Sequence, residues 1–421
     1  MRRSAAPLQT TTAMLSLSLV FACGGCPQTS ATAAGDDTVT AANTATSGVG
    51  DAAGATTNDA TETGDTIEPV EVSATLQLPA TGQTTSYSDG DDGDVQSGVA
   101  IDNATRFEDM GDGTIVDHKT GLMWLADASC LINNYPKWET DGFADGWVPW
   151  NDALAFIADI NSGDASACGA GYTDWRLPNV NELESLVDAG QGELNAWLMS
   201  MGFTDVEANA YWTSTTNVDS PDTFAYVVDL SDGSVSKLGN KGSVITSVLP
   251  VRGVSVSDTP VWRTGQTTSY AAGDDGEHQA GVAWPSPRFT DNGDGTVTDH
   301  LTGLMWLKDW GAVVSKDWYE ALAAAESFNA GLAAIQPEGY TASYSDWRIP
   351  NRKEFQSLFD YSQSSPAVAE GHPFANISTT GSYWSSTTYA SDIKYGWLCD
   401  MRDGDISPEL KVNGHLVVFV R

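Results

Sequence analysis

Apolar and polar positions along the chain follow two periods that alternate. Phe107 to Asp117 (FEDMGDGTIVD) and Phe289 to Asp299 (FTDNGDGTVTD) read as β-hairpins, with Asp-Gly at the turn and Thr-Ile-Val or Thr-Val-Thr on the returning strand. Trp150, Leu154, Ile157 and Ile160 then fall on one face at helical spacing, as do Trp318, Leu322, Ala325 and Phe328. A second helix is predicted after Leu177-Pro178 and after Ile349-Pro350. There Asn179 with Glu182, and Asn351 with Glu354, have the spacing of a capping box. Leu183, Leu186 and Val187 are expected to face inward, with Phe355, Leu358 and Phe359 as their counterparts. Strands are predicted over Tyr211 to Thr216, Ala225 to Asp229 and Val244 to Val251, and again over Tyr383 to Thr388, Tyr395 to Asp400 and Leu416 to Val420. Asp232-Gly233 and Asp403-Gly404 supply the turns between the last two strands of each set. Hairpin, two helices and a meander define an α+β class with mostly antiparallel strands.

The same elements occur twice because the chain is an internal repeat. Thr81-Gly-Gln-Thr-Thr-Ser-Tyr87 recurs as Thr264 to Tyr270, and Thr120-Gly-Leu-Met-Trp-Leu125 as Thr302 to Leu307. Asp174-Trp175-Arg176 recurs as Asp346-Trp347-Arg348, Tyr211-Trp212 as Tyr383-Trp384, and Arg252 is matched by Arg421. A period of about 170 to 180 residues is that of a domain, not of a solenoid. The division is 81–253 for the first copy, 254–263 for a polar linker and 264–421 for the second copy.

The first 80 residues read differently. Arg2 and Arg3 precede an apolar run, Ala13 to Ala22, that is too short to span a bilayer and suits a signal peptide over 1–22. Val20-Phe21-Ala22-Cys23-Gly24 resembles a bacterial lipobox, which implies a lipid on Cys23 and an anchor in the cell envelope. The other reading is an ordinary secretory signal, with Cys23 and Cys26 free or paired. Residues 23–80 are rich in Thr, Ala, Gly and Asp, and no Lys or Arg occurs between Arg3 and Arg106. Such a stretch buries too little apolar surface to offset its chain entropy and is expected to be a disordered acidic tether.

Charge narrows the partners. Twenty Lys and Arg against 56 Asp and Glu leave a net charge of −36, which disfavours nucleic acid and anionic lipid and leaves cations or neutral ligands such as sugars. The membrane is then reached through the N-terminal lipid only. Fifteen Trp and 41 Gly point to a loop-rich fold on large aromatic anchors.

The motif set GDGT, TGLMW, DWRLPN..EL, YW[ST]STT and a terminal V.R resembles the C-terminal domain of Legionella collagen-like adhesins, long catalogued as a domain of unknown function. The resemblance covers both copies. Its Trp-Arg-Leu-Pro...Glu-Leu element is more weakly similar to C-type-lectin-like folds and formylglycine-generating enzymes. It implies two tandem C-type-lectin-like domains and a secreted or surface-anchored binding module, while the sulfated glycosaminoglycan recognised by the family's best-known member conflicts with the charge of this chain. The partner is therefore expected to be an extracellular glycan or another surface ligand. A structural envelope protein without a small ligand is the alternative, followed by a degenerate formylglycine-generating-like enzyme or hydrolase.

Residue chemistry adds little that is catalytic. Asp109, Asp112 and Asp117, with Asp291, Asp294 and Asp299, are candidate calcium ligands because Ca²⁺ takes closely spaced carboxylates; the alternative is turn chemistry, since the EF-hand phase is not met. Cys130 and Cys168 are a candidate disulfide. Cys399 lies opposite Val228 in the repeat and reads as a small buried hydrophobe. Trp175, Trp347, Trp212 and Trp384 are expected in the core, with Arg176 and Arg348 in structural hydrogen bonds or ion pairs; a ligand site with an indole platform at Asp174-Trp175-Arg176 and its copy, or a sugar-binding face on the Trp212 strand, is the other reading. No HExxH, paired CxxC or P-loop is present, and no nucleophile elbow surrounds any Ser. A non-enzymatic protein is expected.

Overall fold

A computed structural model describes residues 75–138, 146–332 and 335–421. The signal peptide, Cys23 and nearly all of the tether lie outside the described residues. The described residues belong to one compact unit spanning Glu71–Arg421, and both repeats lie within it. The class is α+β with antiparallel sheets, built as two tandem copies.

Each copy begins with its hairpin. Phe107–Asp109 pairs with Thr114–Asp117, and Phe289–Asp291 with Thr296–Asp299, and the TGLMW segment adds a third strand to each pair. The amphipathic helices form over Trp150–Ser162 and Trp318–Asn329. Trp150 and Trp318 are buried at their starts and donate their indole N–H groups to Thr213 O at 2.8 Å and Ser385 O at 2.9 Å. Both capping boxes are formed, on the helices Val180–Glu184 and Arg352–Leu358.

The meanders depart from the expected spans. Their third strands are Val235–Gly239 and Ile406–Leu410, immediately after the Asp-Gly turns. Val251–Arg252 instead leaves the meander and pairs with Met123 and Trp124 of the hairpin sheet, and Val420 bridges to Trp306 in the second copy. The apolar runs there serve to close each copy on itself. The two meanders join through Ile406 and Val235 into one six-stranded sheet that crosses from one copy to the other.

The N-terminal arm of each copy crosses over as well. Gln83 donates to Thr388 O and accepts from Thr388 N, both at 2.9 Å, so its amide completes the backbone pairing of an edge residue in the second copy. Gln266 makes the same pair of bonds with Thr216 of the first copy. The Asp92 carboxylate accepts Thr81 Oγ1 from its own arm at 2.6 Å and Thr387 Oγ1 from the other copy at 2.7 Å. Asp275 mirrors this with Thr264 and Thr215, both at 2.7 Å. The arms stay seated on their own copy through Thr81 O and Thr264 O, which accept the amides of Ala189 and Tyr361. Gly82 sits at φ 94°, where a Cβ would lie 2.1 Å from Asp188 Oδ1, so the crossing leaves no room for a side chain.

Two segments read as linkers are packed. Leu76 and Leu78, at the end of the expected tether, are buried against Trp262 and Leu301. In the expected linker, Ser255 and Thr259 are buried and their hydroxyls donate to Thr120 O and Lys119 O.

Candidate functional site

The Asp-rich turns use their carboxylates internally. Asp109 accepts the Gly111 amide at 2.8 Å, and Asp112 accepts Thr114 N at 3.0 Å and Thr114 Oγ1 at 2.6 Å. Asp291 accepts Gly293 N at 3.0 Å and faces Lys308 Nζ at 2.7 Å, while Asp294 binds Thr296 as Asp112 binds Thr114. Asp117 and Asp299 lie at the opposite ends of their strands and point into the core. Asp117 receives the Arg106 fork at 3.0 Å on each oxygen, and Asp299 receives Arg288 at 3.4 Å. The six expected calcium ligands therefore do not converge. Among the described residues no group of three or more His, Cys, Asp or Glu side chains could hold a metal ion.

The other singled-out residues are structural in their contacts. Trp175, Trp347, Trp212 and Trp384 are all buried. Arg176 forks onto Glu182, and Arg348 onto Glu354 at 2.5 and 2.6 Å, joining each DWR segment to its capping box. Cys130 and Cys168 are joined in a disulfide. Cys399 is free and buried, and burial pushes its thiol up, away from a reactive thiolate.

A repeated surface arrangement is built on the first residue of each DWR motif and the tyrosine two positions before it. Arg252 lies 3.8 Å over the Tyr172 ring and forks onto Asp174 at 2.6 and 3.1 Å. Arg421 lies 3.9 Å over the Tyr344 ring and forks onto Asp346 at 2.7 and 3.1 Å. Beneath them Met123 and Met305 place their sulfurs 3.0 and 3.5 Å from the guanidinium groups. Asp174 and Asp346 are exposed, and Tyr344 is 37% exposed, so the platforms face solvent. Hydrogen bonds from Arg421 hold the Asp346 carboxyl below the usual carboxylate range, and the exposed Asp112 is held down by Thr114, with Tyr172 adding a further bond. The sequence carried the signal as Tyr-x-Asp-Trp-Arg and the matched Arg252 and Arg421. It shows in neither motif alone, because the triad forms only when the chain around Val251 and Val420 returns to bridge the DWR segments.

In the second copy this platform borders a cleft of about 250 Å³. Asp346 and Arg348 form one wall, Leu322, Ala325 and Glu326 of the long helix another, and Val95 of the first copy's arm a third. The site is thus composite, with one wall lent by the exchanged arm.

Twin aromatic–arginine–carboxylate platforms thus recur on the surface of an α+β unit. The family described as the Lcl C-terminal domain matches residues 113–252 and 295–421, well over half of the chain, and the chain belongs to it, with two tandem copies. Membership makes this an adhesin-type, surface-associated protein. No curated protein matches the chain. No described helix is long and apolar enough to cross a membrane.

Proposed function

We propose that this protein is a lipid-anchored envelope adhesin that binds an extracellular carbohydrate through its two Tyr–Arg–Asp platforms. The observation that carries this reading is the construction of the same solvent-facing triad in both copies. Aromatic faces with planar hydrogen-bonding groups beside them are suited to a sugar ring and its hydroxyls. The net charge of −36 directs the choice to neutral or cationic glycans and away from sulfated ones. Two weak sites on one unit gain avidity on a repetitive cell-surface ligand. Cys23 is the proposed lipid attachment point, with the membrane engaged through that lipid alone.

The test is a glycan array probed with the full chain and with Tyr172→Ala/Tyr344→Ala. Binding of neutral glycans that falls at least about tenfold in the double variant supports the reading. Absence of glycan binding, or binding unchanged by the double substitution, favours a structural envelope role.

A further inference from the structure

Four buried cations gather at the boundary between the repeats: Arg106, Lys119, Arg352 and Lys353. Two carboxylates answer them. Asp117 is taken by the Arg106 fork, and Glu184 by Arg352 and Lys353. Lys119 Nζ donates to Ser185 O at 3.1 Å, a carbonyl already accepting Arg106 at 2.7 Å. Its other two N–H groups have no acceptor among the described residues. Burial pushes this ammonium well below the ordinary lysine range, and the neighbouring Arg106 and Lys353 push it further. An anion beside it would offset both effects.

The second repeat shows the same place filled. Gly98-Val-Ala-Ile101 corresponds to Gly281-Val-Ala-Trp284, and Lys119 to Leu301. Trp284 covers the Arg288 guanidinium at 4.3 Å, and Leu301 packs in the apolar cluster around Trp262. In the first repeat, with Ile101 and Lys119 at these positions, a cleft of about 200 Å³ opens. Lys119 and Thr259 line it from the buried side, while Asp102, His118 and Asp258 are exposed at its mouth. Ile101, Lys119 and Thr259 line a polar cleft where Trp284, Leu301 and Leu76 build an apolar plug in the second copy.

We propose that this cleft binds a small zwitterion of the amino-acid kind, its carboxylate on Lys119 and its ammonium toward Asp102 and Asp258. A simple anion is disfavoured by the two carboxylates at the mouth, and a simple cation by the buried lysine. This site is separate from the Tyr–Arg–Asp platforms and does not depend on the carbohydrate reading.

The experiment is calorimetric titration of the full chain with the proteinogenic amino acids, with acetate and methylamine as controls. Ile101→Trp and Lys119→Leu restore what the second repeat carries, so circular dichroism is expected to show both folded. At least one amino acid should bind at least about tenfold tighter than acetate, and both variants should weaken it by about tenfold or more. No binding by any amino acid overturns the proposal, as does binding that survives both substitutions. Acetate binding as tightly as the best amino acid overturns the zwitterion assignment.

Discussion

Lys353 of the second repeat places its ammonium against the Glu184 carboxylate of the first, while at the pseudo-equivalent position Gln356 Nε2 donates to Asn181 Oδ1 at 3.3 Å. One boundary therefore carries an ion pair on one side and an amide pair on the other. All four side chains are buried. The asymmetry favours pairing of unlike copies: two second copies would set Lys353 against Gln356, and two first copies would set Asn181 against Glu184.

Removing one partner of this pair leaves buried charge unmatched. Glu184→Gln strands both Arg352 and Lys353 and is expected to cost about 3–5 kcal/mol in urea unfolding. The triple change Glu184→Gln/Arg352→Val/Lys353→Asn rebuilds the amide arrangement of the other side and should recover most of that loss. A single variant within about 1 kcal/mol of the parent would show that the pair contributes little.

The exchanged arms make a local prediction at long range. Gln83→Ala removes both partners of the Thr388 backbone and leaves a buried N–H and C=O unpaired, a penalty of about 1–3 kcal/mol for each group. Amide exchange at Thr388 should accelerate more than at Thr216, and Gln266→Ala should reverse that order. Equal acceleration at both sites in either variant would place the effect in general destabilisation.

Burial lifts the Asp92 carboxyl to about 6 and the Asp275 carboxyl to about 7, both above the unfolded value. The folded chain then holds protons that the unfolded chain releases above about pH 4. This contribution is complete below that pH and is lost as pH rises through 6 to 7. His278, His372 and His415 are pushed down by burial and act in the opposite sense. The effect is isolated by subtracting the parent from Asp92→Asn/Asp275→Asn. The variant's relative stability should increase between pH 5 and pH 8, and a difference flat in pH would show that the two carboxyls do not titrate there.

The disulfide closes a loop of sequence separation 38 in the first repeat, where the second has none. Loop entropy assigns it about 4 kcal/mol. Cys130→Ser/Cys168→Ser should lose that amount in urea unfolding, and a loss below about 1 kcal/mol would mean that the unfolded chain is already constrained.

Elements specified by local chemistry were legible in the sequence. The hairpins follow from Asp-Gly turns, the long helices from Trp and Leu at helical spacing, and both capping boxes from Asn and Glu three residues apart. Val235–Gly239 was missed because Val-Ser-Lys-Leu-Gly carries a weak strand signal beside the stronger apolar run that follows. The roles of Asp117 and Asp299 were not legible either, because their partners Arg106 and Arg288 lie on the far side of the hairpin turn. Gln83 bonds to a residue 305 positions away, so the repeated Thr-Gly-Gln motif stood out as a motif without showing what it holds. The Tyr–Arg–Asp platforms share that origin, each assembled from two segments distant in sequence.

The central claim is that the two repeats fold as one unit through their exchanged arms and shared sheet. Differential scanning calorimetry of the full chain tests it most directly. One cooperative transition containing both repeats, with equal calorimetric and van't Hoff enthalpies, is the predicted result. Two separable transitions, one for each repeat, would contradict it.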